Sequence, residues 1–300
     1  MKRRSFCKTT LVAALAASPA LKAFSMAKDN PYRANIGIQL YTLRNQIGED
    51  LHATLKAVAA AGYKQVEAYG FSGNNSAPGS AGEMIRVSKD LGMAANSTHF
   101  AWESVTAPSD KNYSDFKKIL EEANSLGLTH LVVPYLHGRE RENLDGYKTV
   151  AERMNEGAEL AHDAGITLSY HNHSFEFKPM DEGKSGYDVF VQEFSDKAKF
   201  EVDVFWVKLA GIEPVDLMKQ LDGRVTQLHL KDLQKGTDLP NFEGGIPKEA
   251  FKELGNGMIP MEPIIKTAGK TGVEHCHVEQ DQSPHPIKSV QQSMAYLKSL

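Results

Sequence analysis

Cysteine is almost absent from this 300-residue chain, which has only Cys7 and Cys276. Two thiols at opposite ends give no disulfide framework, so stability must come from a hydrophobic core. The same scarcity argues against a structural zinc site built on thiolates. Long apolar runs are also missing. The uncharged run over residues 9–21 is too short to cross a bilayer as a stable helix. No strand is followed by a Gly-rich dinucleotide fingerprint, which weakens an open doubly wound sheet. No linker marks a second domain.

What is present starts with an unusual leader. Lys2-Arg3-Arg4-Ser5-Phe6 precedes the uncharged run, and Ser25-Met26-Ala27 ends it with small residues. A basic start, an apolar stretch and a small-residue exit describe an export signal over residues 1–27. The paired arginines resemble the twin-arginine class, which implies a periplasmic protein exported already folded, with any metal loaded beforehand. Beyond the leader, 29 basic residues face 38 acidic ones, a formal charge of −9. Such a chain has no general electrostatic footprint for nucleic acid, nor for an anionic membrane once the signal is removed.

The rest of the chain repeats. A helical stretch, then glycine, then an apolar residue opening a strand recurs at Gly62-Tyr63, Gly92-Met93, Gly127-Leu128, Gly165-Ile166 and Gly272-Val273, with a variant at Gly223-Arg224. Glycine suits the left-handed residue that ends a helix. The early spacing fits one strand-plus-helix unit. Eight strands are expected, over residues 36–42, 65–69, 94–100, 130–135, 166–173, 200–206, 225–232 and 275–281. Helical periodicity lies between them, for example over 51–61, 113–126 and 145–164. Eight alternating units predict a single-domain (β/α)8 TIM barrel over residues 28–300. Residues 236–247 read as a long loop on the active face.

Alternation along each strand sorts its side chains between helices and barrel interior. Phe200, Val202, Val204 and Trp206 form the apolar set of the sixth strand, which turns Glu201 and Asp203 inward. The same test turns inward Glu67, Ser97 and His99, then His171 and His173, then Gln227, His229 and Lys231, and finally His277, Glu279 and Asp281. On the first strand, Gln39 and Tyr41 lie opposite Ile38 and Leu40. The stretch Ser169 to Phe177, SYHNHSFEF, therefore reads as a strand end rather than a His-rich loop. Buried carboxylates need partners or a metal. Carboxylates beside imidazoles at the carboxyl ends of barrel strands suit Mn²⁺, Mg²⁺, Co²⁺ or Zn²⁺.

The ordered set IGIQLYTLR, VEAYG, YHNHSFEF, DVFWVKLAG, LHLKD and HVEQD resembles the xylose-isomerase-like barrels, often called the sugar phosphate isomerase/epimerase family. The resemblance covers about residues 35–300. It implies one divalent metal held by residues of the fifth to eighth strands. Carried over, these are Asp203, His229 and Glu279, with Glu176 as the fourth ligand. Many epimerases of the family place that glutamate within the strand, where this chain has Tyr170 and His171. Catalytic roles fall to His173, Lys231 and Glu279. Substrate contacts fall to Tyr41, Glu67, His99, His171, Lys231 and Trp206, whose ring suits either stacking on a sugar or wall packing.

The implied chemistry is proton abstraction next to a carbonyl, giving isomerisation or epimerisation of a small, unphosphorylated keto sugar. Export away from phosphosugar pools and the lack of a Gly-rich phosphate cradle favour the unphosphorylated form. A lyase cleaving 3-keto-glycosides by β-elimination is the alternative. A non-catalytic sugar-binding barrel comes third. A phosphodiesterase reading is disfavoured by the acidic surface and by the absence of basic–aromatic interleaving. A homo-oligomer is compatible with the sequence.

Overall fold

Eight short parallel strands form a closed ring in the computed structural model, which describes residues 30–243 and 245–300. The expected signal at residues 1–27 lies outside the described residues. The strands are β1 (Gly37–Gln39), β2 (Gln65–Phe71), β3 (Ala94–Phe100), β4 (His130–Val133), β5 (Thr167–His171), β6 (Ala198–Asp203), β7 (Val225–Leu230) and β8 (His275–Val278). Around the ring they run β1-β8-β7-β6-β5-β4-β3-β2. The register brings residues near the ends of neighbouring strands level. Asp203 on β6 pairs with His229 on β7, and His229's level on β8 is His277.

An outer layer of helices follows the strands in turn: α1 (Arg44–Ala61), α2 (Ala81–Asp90), α3 (Ser114–Ser125), α4 (Leu144–Asp163), α5 (Gly186–Glu193), α6 (Pro214–Gln220), α7 (Met261–Ala268) and α8 (Pro286–Ser299). Several start or stop for a readable reason. Ser80 and Asn143 cap α2 and α4 with side-chain oxygens, and Ser185 forms a reciprocal capping box with Asp188. Gly62 ends α1 at φ 104°, a left-handed conformation that a Cβ would strain. The inward stripe of α4 buries Tyr147, Val150, Ala151, Met154, Ala158 and Ala161 against the strands. The core thus lies between the sheet and the helices, and the barrel interior is left to polar side chains.

Several strands stop earlier than the sequence suggests. β6 ends at Asp203 because its carboxylate accepts from the backbone N–H of Phe205 (2.8 Å) and of Trp206 (3.2 Å), starting a short helix over Val204–Leu209. Satisfying two orphan amides outweighs the strand preference of Val204 and Phe205. Trp206 consequently leaves the outer wall and faces the mouth. β1 ends the same way, with the Gln39 side chain accepting from Tyr41 N–H. After β7, Asp232–Leu233 pairs antiparallel with Phe251–Lys252, beyond the expected loop. The Asp232 carboxylate fastens this excursion by accepting from the amides of Leu233, Gly255, Gly257 and Ile259 at 2.9–3.0 Å. A Cβ at Gly257 would overlap that carboxylate, so glycine is required there.

Candidate active site

Parallel strands carry their inward side chains to the carboxyl-terminal mouth, where a cavity of about 610 Å³ opens. Its floor is made by strand-end residues: His99, His171, Lys231, Glu279 and Asp281. Its walls are aromatic, with Tyr41, Tyr69, Trp102, Tyr135, His173 and Trp206.

Four strand-end groups at this floor and buried behind it can share a cation. One ligand atom each from His171, Asp203, His229 and Glu279 lies within 4.8 Å of the other three. All four residues are buried. Their placement has local causes. Asn172 ties the end of β5 to that of β6, accepting from Asp203 N–H (3.1 Å) and donating to the Asp203 carbonyl (3.4 Å). His229 presents Nδ1 to Glu279 (3.0 Å) and, at 3.9 Å, to Asp203. The donor set fits a divalent ion on one direct observation: Asp203 Oδ2 is buried and accepts no hydrogen bond. The Lys231 ammonium sits 3.0 Å from it, off the hydrogen-bonding direction. Two imidazoles and two carboxylates suit Mn²⁺, Co²⁺ or Zn²⁺.

A second carboxylate layer lies directly beneath. Glu201 Oε2 is 3.1 Å from His171 Nδ1, 3.2 Å from His229 Nε2 and 3.0 Å from His99 Nε2. Its Oε1 accepts from Gln227 (3.0 Å). Glu67 accepts from Gln39 (2.6 Å), Ser97 and His229 Nε2 (2.7 Å). Both candidate ligand histidines therefore give their lower nitrogen to a carboxylate of this layer and turn the upper one towards Asp203 or Glu279. An outer carboxylate of this kind fixes tautomer and ring orientation. Burial pushes Glu201 up, but His229 and the hydrogen bonds from His171 and His99 outweigh it and hold the carboxyl well below its usual range. Burial would lower His229, and the carboxylates of Glu201 and Glu279 raise it instead.

The cavity surface carries groups in opposite protonation states. Burial would pull Lys231 down, but Asp203, Asp281 and Glu279 hold the ammonium above the ordinary lysine range. Its Nζ is 2.7 Å from both Glu279 and Asp281. His99 is raised to about 9, because Glu67 and Glu201 outweigh burial. His173 moves the other way, lowered well below its usual value by burial and by the nearby His171 and Lys231. Its ring lies between Trp206 (5.0 Å) and Phe175 (5.5 Å), and its Nδ1 has no hydrogen-bond partner. His99 and His173 flank His171 at 5.3 and 5.2 Å between ring centroids.

The sequence reading is met unevenly. Asp203, His229 and Glu279 come together, and His173, Lys231, Tyr41, His99 and Trp206 line the cavity or its rim. Glu176 does not join them. It is fully buried, and it accepts from Tyr170 Oη (2.7 Å) and His173 N–H (2.8 Å). Tyr170 points out of the barrel onto Phe190 of α5, at 4.7 Å between rings, and draws Glu176 to that outer side. Burial pushes Glu176 up to about 7. His171 joins the candidate ligands where Glu176 is expected, and it also lines the cavity. Glu67 is also displaced: it lies under the floor, fully buried, and touches no cavity surface. Strand alternation turns Glu201 inward but assigns it no role. Tyr69, Trp102 and Tyr135 carried no signal beyond being aromatic near strand ends.

This barrel has known relatives. A model of the xylose isomerase-like TIM barrel family matches residues 55–300. An inosose dehydratase of Clostridium perfringens (strain 13 / Type A) is 26% identical over 249 residues, covering 72% of this chain and 80% of that protein. Among solved structures, a sugar phosphate isomerase/epimerase from Parabacteroides distasonis ATCC 8503 superposes with a TM-score of 0.71 at 26% identity, over 89% of this chain and 94% of that one. An L-ribulose 3-epimerase shares the fold, with a TM-score of 0.61 at 16% identity over 88% and 93%. The chain belongs to the xylose isomerase-like TIM barrel family.

Proposed function

We propose that this protein is a divalent-metal-dependent enzyme that removes a proton next to the carbonyl of an unphosphorylated keto sugar, as an isomerase or epimerase. The observation that carries the reading is the convergence of His171 and Glu279 on the cavity floor with the buried Asp203 and His229 in reach of both, beside Lys231 and His173. A divalent ion held there would polarise a carbonyl oxygen and acidify the neighbouring C–H. His173 lines the cavity and is held neutral, so it can serve as the proton acceptor. Lys231 and the cationic His99 can stabilise the developing enolate charge, with the ammonium fixed by three carboxylates. Trp206 and Tyr135 wall the cavity with flat apolar surface suited to a sugar ring. Lys231 is the one lysine or arginine among the described residues lining the cavity, and it sits among three carboxylates. That supports a substrate without a phosphate.

A second reading is a lyase that expels a β-substituent. It is favoured by the inosose dehydratase relatives and by the pairing of neutral His173 with cationic His99 across His171. Environments that drive two groups apart in this way suit one to accept a proton and the other to deliver it to a leaving oxygen. The leader at residues 1–27 supports a periplasmic location. Amino-terminal sequencing of periplasmic protein should begin near Lys28.

Incubation with candidate keto sugars in D₂O tests the core reading. Deuterium should enter the carbon next to the carbonyl when metal is supplied, and not after chelation. Absence of exchange with every keto sugar would overturn it. Release of an aglycone or of water would select the lyase.

A further inference from the structure

The amino-terminal mouth of the barrel, opposite the cavity, holds a cluster that the reaction does not use. His130 is the first residue of β4 and His275 the first of β8. Three strands separate them in either direction around the ring, so they face each other across it. Their imidazoles meet at 5.1 Å between centroids, nearly perpendicular at 83°. Glu274 lies beside them, its Oε2 3.7 Å from His130 Nε2. One ligand atom from each of the three lies within 4.8 Å of the others.

His130 is 3% exposed, and its Nε2 has no hydrogen-bond partner. The other ring nitrogen explains its state. Nδ1 is 2.9 Å from the Thr129 hydroxyl oxygen, and that hydroxyl donates to the Asn96 carbonyl. Its oxygen is then the acceptor for His130 Nδ1–H, which leaves Nε2 with a bare lone pair. A lone pair and a carboxylate thus face each other with no donor between them. Burial lowers both His130 and His275 below the usual histidine value, which favours the neutral form that binds metal.

We propose that His130, His275 and Glu274 form a second metal site, for a zinc-like divalent cation that pins β4 to β8 across the bottom of the barrel. Two neutral imidazoles and a carboxylate are three protein ligands of the kind zinc takes, with water completing the shell. Glu274 is exposed and His275 partly so, which gives the ion a path from solvent. Neither residue contacts the cavity of the proposed reaction.

Zinc counting on the full chain tests this. After chelation and equilibration with Zn²⁺, the wild type should hold about two ions per chain, one in each site. Asp203→Ala should hold one, as should His275→Ala, and the double variant none. His275→Ala should keep its deuterium exchange when Mn²⁺ is supplied. In the Asp203→Ala background, Zn²⁺ should raise the melting temperature, and His275→Ala should abolish that rise. Glu274→Gln, a surface change, should weaken the retained ion at least about tenfold. An equal zinc count in wild type and His275→Ala would overturn the site, as would an ion retained by the double variant.

Discussion

Two carboxylates on one strand, two residues apart and pointing the same way, have opposite surroundings. Glu201 is bonded at both oxygens, to Gln227 on one side and to His99 and His171 on the other. Asp203, one layer nearer the mouth, spends Oδ1 on capping a helix and leaves Oδ2 buried without a hydrogen bond. The lower layer is built to hold side chains in place, and the upper layer keeps an acceptor without a hydrogen bond, beside the Lys231 ammonium. His171 and His229 span both layers, one nitrogen in each.

That contrast can be broken from the top. Asp203→Ala should lose the cavity ion and with it turnover, beyond the ~10²–10⁴-fold that a missing acid–base group costs. Metal analysis beside kinetics checks it. His173→Ala should keep the ion and lower kcat by about 10²–10⁴. If His173→Ala also emptied the site, His173 would be a ligand. Glu201→Gln acts from the lower layer. It keeps the shape but replaces the shared acceptor of three imidazoles, so metal affinity should fall about 10–100-fold, read by titration calorimetry. An affinity equal to wild type would remove the orienting role.

The smallest effect on the site is expected from Glu176→Gln. Its metal content should match the wild type, because the Glu176 side chain lies against Tyr170 and the His173 amide. Its effect should appear in stability instead. Glu176 is raised from 4.5 to about 7 by burial, so the native state holds its proton more tightly than the unfolded chain does. That stabilisation is full below pH 4.5 and is lost as pH rises towards 7. Glu176→Gln should remove this slope and gain up to about 3 kcal/mol over wild type at pH 8. Denaturant melts at pH 5 and pH 8 would show it.

The legible parts of the sequence were periodic ones. Glycines such as Gly62 and Gly165 marked helix ends, and alternation along the strands put His171, Asp203, His229 and Glu279 on the inner face. Alternation reports the face of a residue, but not its depth. Glu67 and Glu201 have the right parity and lie one layer too low to meet a substrate. It also fails where a strand ends. Asp203 starts a helix, which swings Trp206 into the mouth, and the turn after β5 carries Glu176 back to Tyr170 outside the wall. Both events are set by side-chain hydrogen bonds to the backbone or to a distant tyrosine, and hydrophobic pattern does not encode them.

The most direct test is an anomalous difference map from crystals grown with Mn²⁺. It should show a cavity peak bonded to His171, Asp203, His229 and Glu279 at about 2.0–2.3 Å, with Glu176 out of reach. A peak bonded by Glu176, or one seated lower between Glu67 and Glu201, would contradict the division between a holding layer and a working one.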